Sequence, residues 1–462
     1  MTGAPRMAED TIAAIATPLG EGGLAVIRLS GPDALGVADR CFVPAGSRSL
    51  RPSAAPSHTL HLGRIEHDGR LVDEVLLAVM RAPRTYTRED VVEISCHGGL
   101  LPAKLVLTAV LASGARLAEP GEFTRRAFVN GRLDLAQAEA VADIIQARTE
   151  LALAAAEEQL AGKLSQRIRQ LREDLLGVLA HLEAHLDFPE EDLAPDTAAR
   201  LLARLRDGRT FLETLLRTAP EGQILRRGVR AAIVGRPNVG KSSLLNQLLG
   251  RDRAIVSPEP GTTRDTIEET ANIRGIPVVF VDTAGLREAD DRVEQEGVRR
   301  THTAVRQAEL LLHVLDASEP LQPEDERQLA TLAGRKRLVV LNKSDLPSRL
   351  DRVPEAVAAG LPISCLTGAG IEPLKDAIQR AVWAGELRAD MVEVMINARH
   401  QEALRRACEA LHGALDGLES GATFELVALD LRRAIDAVGE VTGQTTTEDL
   451  LDRIFGEFCI GK

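Results

Sequence analysis

Residues 235–243 read Gly-Arg-Pro-Asn-Val-Gly-Lys-Ser-Ser, which fits the phosphate-loop pattern G-x-x-x-x-G-K-[ST]. The glycines let successive backbone N–H groups curl around a polyphosphate, Lys241 would reach the outer phosphates, and the Ser242 hydroxyl would bind Mg²⁺. An apolar run of strand type, 229–234, precedes the loop, and apolar residues at helical spacing follow it as far as Leu249. The N-terminus of that helix would therefore point at the bound anion.

Three further stretches have the order and spacing of a GTP-binding domain. Residues 282–285, Asp-Thr-Ala-Gly, end a second apolar run, where an Asp can hold the Mg²⁺ shell and a glycine can offer its N–H to a terminal phosphate. Residues 342–345 read Asn-Lys-Ser-Asp, and the carboxylate of Asp345 can accept two hydrogen bonds from guanine that adenine cannot donate. Residues 362–365 are typical of the last base-contacting loop. The nucleotide is therefore predicted to be GTP rather than ATP.

Composition limits the remaining possibilities. The 462 residues suffice for about three domains, and the net charge of −12 would repel nucleic acid unless a local basic patch or a partner's surface binds it. An aromatic content of 2% argues against RNA recognition by stacking platforms. The five cysteines are widely spaced without C-x-x-C, which favours a reducing cytosol. No apolar stretch approaches a membrane span and no signal-peptide pattern is found, so we expect a cytoplasmic protein without a membrane partner.

The predicted fold class is multidomain, α/β plus α. Strand-like runs separated by Pro and Gly, followed by a helix, predict an N-terminal α/β domain over 1–124. Apolar residues at helical spacing predict the first part of an all-α domain over 125–222 and its second part over 385–462. A Ras-like P-loop GTPase domain over 223–384 is predicted to be inserted between the two parts.

Segments outside the GTPase motifs carry a more specific signal. The chain resembles the MnmE (TrmE) family of bacterial and organellar tRNA modification GTPases, and the resemblance covers nearly its whole length. It rests on Ile12-Ala-Ala-Ile-Ala-Thr-Pro18, Glu93-Ile-Ser-Cys-His-Gly-Gly99, Pro120-Gly-Glu-Phe-Thr-Arg-Arg-Ala-Phe128, Leu133-Asp-Leu-Ala-Gln-Ala-Glu139 and the terminal Cys459-Ile-Gly-Lys462.

The resemblance implies a function in which GTP hydrolysis, dependent on Mg²⁺ and activated by K⁺, is coupled to tRNA modification. With an FAD-dependent partner of the MnmG (GidA) type, the family modifies the wobble uridine of certain tRNAs at carbon five to aminomethyl or carboxymethylaminomethyl products. The one-carbon unit comes from a formyl or methylene tetrahydrofolate derivative, bound by an N-terminal domain that is therefore folate-binding-like. The resemblance also implies a homodimer through that domain and a heterotetramer with the partner.

The motifs and the resemblance together predict the nucleotide and metal site. Ser242 and Thr263 would bind Mg²⁺, although a threonine here also suits a plain turn. K⁺ would be bound by Asn238, Ser257, Thr262 and the backbone carbonyl of Glu259, although Asn is also a residue type that stabilises loops. The GTP contacts are assigned to Asn238, Val239, Gly240, Lys241, Ser242, Ser243, Ser257, Thr262, Thr263, Asp282, Thr283, Ala284, Gly285, Asn342, Lys343, Asp345, Ser364 and Cys365.

Catalysis needs a group that orients the attacking water. Leu286 stands where small signalling GTPases carry a Gln for this purpose, and Leu cannot perform it. The resemblance assigns the role to Glu294. Read without the resemblance, Glu294 belongs to an acidic stretch and suits a solvated helix start.

Folate binding is assigned by resemblance alone to Arg28, Glu93, Arg132 and Lys462. A carboxylate for the ring and basic groups for the glutamate tail suit the chemistry of folate. Arg132 stands where Lys is frequent in the family, which preserves the charge but alters the geometry. Cys459 is either a reactive thiol, as the family suggests, or a thiol that packs near the helical domain.

Two other functions are compatible with a GTP-binding domain. A ribosome-assembly GTPase would act as an RNA- or protein-binding module, but such proteins usually add a basic domain, and the added domains here are not strikingly basic. A scaffold whose GTP-binding domains dimerise to do mechanical work would need a lipid-binding surface, and no basic amphipathic anchor stands out.

Overall fold

The structure is a computed structural model, and it describes residues 10–46, 50–187, 195–250, 268–281, 305–350, 354–383 and 396–461. The chain forms two compact units. The first comprises residues 1–142, 160–205 and 409–462, and the second comprises 143–159 and 206–408. None of the helices in these described ranges combines the length and the apolar composition needed to span a bilayer.

The first unit contains a seven-stranded, mostly antiparallel sheet. Its strands are β1 (Ile12–Ile15), β2 (Leu24–Ser30), β3 (Phe42–Pro44), β4 (Thr59–His67), β5 (Arg70–Met80), β6 (Val91–His97) and β7 (Arg116–Leu117). Their order is β3-β4-β5-β6-β2-β1-β7, and only β1 and β7 run parallel. Helices α1 (Ala34–Cys41) and α2 (Leu100–Ala112) pack on the sheet, because alternate strand residues such as Leu77 and Ile94 are apolar and buried. The opposite face carries the alternate residues, several of which are exposed, such as Leu62 and Leu76.

Helices follow the sheet in the sequence. They are α3 (Glu122–Val129), α4 (Leu135–Gln146), α5 (Glu150–Leu160), α6 (Lys163–Asp187), α7 (Pro195–Arg217) and α8 (Ala219–Arg227). Helical spacing predicted the first part of an all-α domain over 125–222, and between Leu135 and Asp187 the structure has three separate helices, α4, α5 and α6. One of the breaks falls at Gly162, whose backbone φ of +87° is a left-handed conformation that favours glycine.

The second unit is built around a six-stranded sheet with the predicted P-loop topology. Its strands are β8 (Val229–Val234), β9 (Glu269–Ile273), β10 (Ile276–Phe280), β11 (Leu310–Asp316), β12 (Arg337–Asn342) and β13 (Leu361–Pro362). The order is β13-β12-β11-β8-β10-β9, and all neighbours are parallel except the β9–β10 hairpin. The described helices that alternate with these strands in the sequence are α9 (Lys241–Leu249), α10 (Pro323–Thr331), α11 (Glu355–Ala358) and α12 (Ile371–Val382).

The chain ends in three more helices, α13 (Ala398–Ser420), α14 (Phe424–Thr442) and α15 (Glu448–Gly456). In the first unit, α14 packs along α6, and both bury residues spaced three or four apart, including Leu171 and Leu175 on α6 and Leu431 and Ile435 on α14. The predicted class, a multidomain α/β plus α protein with helices on both sides of a P-loop domain in the sequence, is confirmed.

Candidate functional site

The phosphate loop leaves β8 and ends where α9 begins, as the sequence predicted. Gly235 and Gly240 have φ of +145° and +100°, and both positions require glycine for space as well. A Cβ at Gly235 would collide with the backbone carbonyl oxygen of Val314, and one at Gly240 would collide with the side-chain amide of Asn342. The loop is therefore fixed by strand β11 on one side and by Asn342, a predicted base contact, on the other.

Lys241 folds back across this loop. Its Nζ donates hydrogen bonds to the carbonyl oxygens of Gly235 (2.9 Å) and Arg236 (2.7 Å). Burial lowers the pKa of the Lys241 ammonium, and the negative charge of Glu324 opposes that shift. Ser242 and Ser243 are exposed in the first turn of α9, where the helix dipole favours an anion. This part of the site can bind the phosphates of a nucleotide.

Asn342 joins the phosphate loop to residues 342–345 and 362–365, the two segments predicted to contact the base and here named the base-reading loops. It is buried; its Nδ2 donates to the carbonyl oxygen of Val239 (2.8 Å), and its Oδ1 accepts from the backbone N–H of Cys365 (3.1 Å). In the structure its side-chain amide holds three loops together, and its predicted contact with the nucleotide stays a prediction.

The other base-reading residues lie around Asn342. Lys343 has a left-handed φ of +64°, and its Nζ contacts Asp316 Oδ2 at 2.5 Å. Asp345 is exposed and therefore accessible to a base. Ser364 is buried, and its Oγ accepts from the backbone N–H of Thr367 (3.2 Å). Burial raises the pKa of the Cys365 thiol to about 11, so this thiol is neutral at physiological pH.

Several predicted residues lie outside the described residues. They are Ser257, Glu259, Thr262, Thr263, Asp282, Thr283, Ala284, Gly285, Leu286, Glu294 and Lys462. The roles that the sequence gives them remain predictions. Asn238 is described; it is exposed and has a left-handed φ of +64° in the phosphate loop.

The first unit contains a second polar cluster, which brings together three of the predicted folate residues. Arg28 and Glu93 are directly opposite each other on β2 and β6 and form an ion pair of 2.8 Å. The Arg28 Nη1 also donates to the carbonyl oxygen of Gly461 at 3.4 Å. The C-terminal segment therefore contacts the same cluster.

Aromatic rings support the two cations of this cluster. The Arg28 guanidinium carbon lies 5.8 Å from the ring centroids of both Tyr86 and Phe123, and that of Arg132 lies 4.9 Å from Tyr86, within the range of cation–π attraction. Arg132 Nη1 also donates to the Tyr86 carbonyl oxygen (2.9 Å). Burial raises the pKa of Tyr86, whose hydroxyl is hydrogen-bonded to Thr124 Oγ1 at 2.9 Å.

The sequence analysis missed Tyr86, although one signal could have found it. It is the only tyrosine in 462 residues. Gly461, also missed, is buried with φ of +97°, and a Cβ there would collide with the carbonyl oxygen of Ile15. The penultimate position therefore requires glycine, and the exposed Cys459 lies two residues before it.

Comparisons with known proteins decide the family. The model described as "MnmE helical domain" matches residues 135–459, and the model described as "GTP-binding protein TrmE N-terminus" matches residues 11–132. The chain belongs to the MnmE family. It is similar to the tRNA modification GTPases MnmE of Geobacillus kaustophilus (50% identical, covering 98% of this chain and 99% of the relative), Listeria innocua (49%, 98% and 99%) and Chloroflexus aurantiacus (50%, 98% and 100%).

Family membership indicates which nucleotide the phosphate loop serves, since these relatives are GTPases. The chain is a GTP-hydrolysing enzyme of this family, and residues 235–243 with the Asn342 junction are its candidate nucleotide site. The resemblance drawn from the terminal segments of the sequence is thereby confirmed.

Proposed function

We propose that this enzyme is a K⁺-activated GTPase that modifies the wobble uridine of certain tRNAs at carbon five. It acts with an FAD-dependent partner of the MnmG type and takes the one-carbon unit from a tetrahydrofolate derivative. The observation that carries this proposal is the cluster of Arg28, Glu93 and Arg132 beside Gly461, in the segment that matches the TrmE N-terminus.

The cluster fits a folate in its chemistry. A folate joins a flat ring rich in N–H donors to a glutamate tail that carries carboxylates. The Glu93 carboxylate can accept hydrogen bonds from the ring, and the guanidinium groups of Arg28 and Arg132 can bind carboxylates with two parallel hydrogen bonds. Tyr86 holds both arginines in place. When bound, the folate supplies the one-carbon unit, and these residues bind and orient it.

Titration calorimetry with 5-formyltetrahydrofolate tests this assignment. Arg28→Gln and Glu93→Gln should each weaken binding about tenfold or more, since each removes a charge-assisted hydrogen bond. Arg64→Gln is the matched control, because Arg64 forms an exposed ion pair with Glu66 on the same sheet. Wild-type affinity in Arg28→Gln would refute the folate part of the proposal and leave the GTPase assignment intact.

The K⁺ part of the proposal depends on Asn238. Its side chain is exposed in the phosphate loop, and a monovalent cation there can offset the charge that develops on the phosphates during transfer. GTP hydrolysis should be at least about tenfold faster in K⁺ than in Na⁺ at equal ionic strength, and Asn238→Ala should remove the difference. Equal wild-type rates in both salts would refute K⁺ activation.

The proposed homodimer uses the open face of the first sheet. Leu60, Leu62 and Leu76 on β4 and β5 are 71%, 52% and 46% exposed, and large exposed apolar patches of this kind mark protein contacts. The strand register places Leu60, Ala78, Glu93 and Arg28 in one row across four strands. A second copy that covers these leucines would therefore lie beside the proposed folate residues.

A further inference from the structure

Two buried carboxylates of the second unit lie outside every GTPase motif in the sequence. Asp316 is the last residue of β11, and Asp325 lies in the first turn of α10. We propose that these two residues, here named the carboxylate bracket, position the nucleotide: Asp316 holds the base-reading loop through Lys343, and Asp325 holds the phosphate loop through Arg236. The proposal rests on the GTP site alone and not on the K⁺ or folate parts of the proposed function.

On the base side, Asp316 fixes Lys343 by a short contact, and both of its carboxylate oxygens have polar partners. Strands β11 and β12 are parallel neighbours, with Asp316 opposite Asn342. One carboxylate oxygen of Asp316 contacts Lys343 Nζ at 2.5 Å, and the other accepts from the backbone N–H (2.9 Å) and the hydroxyl (2.6 Å) of Ser318. Burial alone would raise the pKa of Asp316, but the hydrogen bonds from Lys343 and Ser318 lower it below its usual range. The carboxylate therefore stays charged.

The geometry of the base-reading loop depends on this contact. Lys343 adopts a left-handed backbone conformation, which a non-glycine residue keeps only when its surroundings hold it there. Asn342, which precedes it, ties the loop to Val239 and Cys365, and Asp345 follows two residues later. Loss of the Asp316 charge should therefore disturb the position of the carboxylate that reads guanine.

On the phosphate side, Asp325 fixes Arg236. The Arg236 Nε donates to Asp325 Oδ1 (2.9 Å) and Oδ2 (2.8 Å), and its Nη2 contacts Glu319 at 3.3 Å. Asp325 is also held in place, since its Oδ2 accepts from the backbone N–H of Gln322 (3.1 Å). The carbonyl oxygen of Arg236 accepts a hydrogen bond from Lys241 Nζ. Arg236 therefore connects Asp325 to the ammonium group that is predicted to bind phosphate.

Burial distinguishes the bracket from an ordinary surface ion pair. The side chains of Asp316 and Asp325 are both 3% exposed, whereas Asp376, which pairs with Arg274 in the same unit, is 52% exposed. The cations are more accessible, with Lys343 36% and Arg236 17% exposed, so the carboxylate is the buried member of each pair. Exposed pairs such as Arg274–Asp376 contribute little. The Arg274–Asp376 pair is therefore a matched control.

The two ends of the bracket predict two different defects in nucleotide selectivity. Asp316→Asn in the full-length protein should lower the preference for GDP over IDP about tenfold and leave the preference for GDP over GMP unchanged. Asp325→Asn should do the reverse, because it disturbs the phosphate side alone. Affinities come from competition against a fluorescent GDP analogue. Asp376→Asn should change neither ratio.

A purely structural role would give another pattern. If both variants lower the melting temperature and shift both ratios equally, or shift neither, the bracket does not position the nucleotide. Asp316→Glu and Asp325→Glu keep the charge and lengthen the side chain. If an Asn variant does not fold, the same two affinity ratios are measured on the Glu variant instead. Lys241→Ala distinguishes failure of the bracket proposal from failure of the GTP-site assignment. Wild-type GDP affinity in that variant would mean that the GTP site itself is misassigned.

Discussion

The two sheets of this molecule present their functional residues in opposite ways. In the second unit, every residue of β10 and β11 is buried, because helices cover both faces of a parallel sheet. In the first unit, β5 alternates between buried Val75, Leu77 and Val79 and the exposed Leu76, because one face of this antiparallel sheet is open. A sheet covered on both faces leaves only its strand ends for binding, whereas an open face can bind along its whole width.

The residues of the two candidate sites follow this difference. Gly235, Asp316 and Lys343 lie at or just after strand ends of the parallel sheet, as expected for α/β ligand sites. Arg28 and Glu93 lie within strands and meet across the sheet. The phosphate-loop site, here named the strand-end site, therefore depends on loop backbone. The Arg28–Glu93 cluster, here named the open-face site, depends on side chains that the register brings together.

The strand-end site should be the more sensitive to a single substitution. Lys241→Ala removes the cation that the phosphate-loop pattern predicts to contact the outer phosphates, so kcat/KM for GTP hydrolysis should fall at least about 100-fold. Phosphate release measures this loss. Lys375→Ala, which removes a helix lysine paired with Glu372 in the same unit, should retain the wild-type rate, and folate binding should be unchanged in both variants. Hydrolysis at the wild-type rate in Lys241→Ala would contradict the assignment.

This site could be predicted from sequence because phosphate binding is a local property. Nine consecutive residues, 235–243, carry the turn, the glycines and the cation. The open-face cluster could not be worked out from the residues in the same way, because the pairing of Arg28 with Glu93 is a consequence of register between β2 and β6. The family resemblance supplied it instead.

Sequence reasoning also missed partners that only the fold reveals. Lys343 was predicted to contact the nucleotide, but no motif includes its partner Asp316. Likewise, Arg236 stands at a variable position of the phosphate-loop pattern, and Asp325 lies 89 residues further along the chain. Pairs of this kind depend on which strands are neighbours, and a single sequence does not state that.

The covered sheet should also respond to acid in a way that the open sheet does not. His313 lies in β11 and is fully buried, and neither ring nitrogen has a hydrogen-bond partner in the part of the chain that the structure describes. Burial lowers the pKa of His313 to about 4, with a further contribution from the positive charge of Arg337, while Asp325 opposes the shift. As pH falls below about 6.5, the unfolded chain binds this proton before the folded chain does.

The second unit should therefore lose about 3 kcal/mol of stability between pH 6.5 and pH 4 from His313 alone. The lowered pKa of Asp316 adds a further loss at lower pH, since its folded-state advantage exists only while it is ionised. Urea unfolding at several pH values measures the effect, and His313→Leu should flatten it. His412→Gln, at an exposed helix histidine, is the control. An equal pH slope in His313→Leu and wild type would contradict this explanation.

A substitution on the open face of the first sheet should give the smallest of these effects. If Leu60, Leu62 and Leu76 are covered by a second copy, Leu62→Asp would bury a carboxylate without a partner and should weaken the dimer about tenfold or more. Sedimentation equilibrium measures the dissociation constant. Leu426→Asp, at an exposed leucine on α14, should leave it unchanged. GTP affinity of the Leu62→Asp monomer should equal that of wild type, because Leu62 belongs to the first unit and the phosphate loop belongs to the second. A dimer of wild-type strength in Leu62→Asp would mean that this face is open for a different partner.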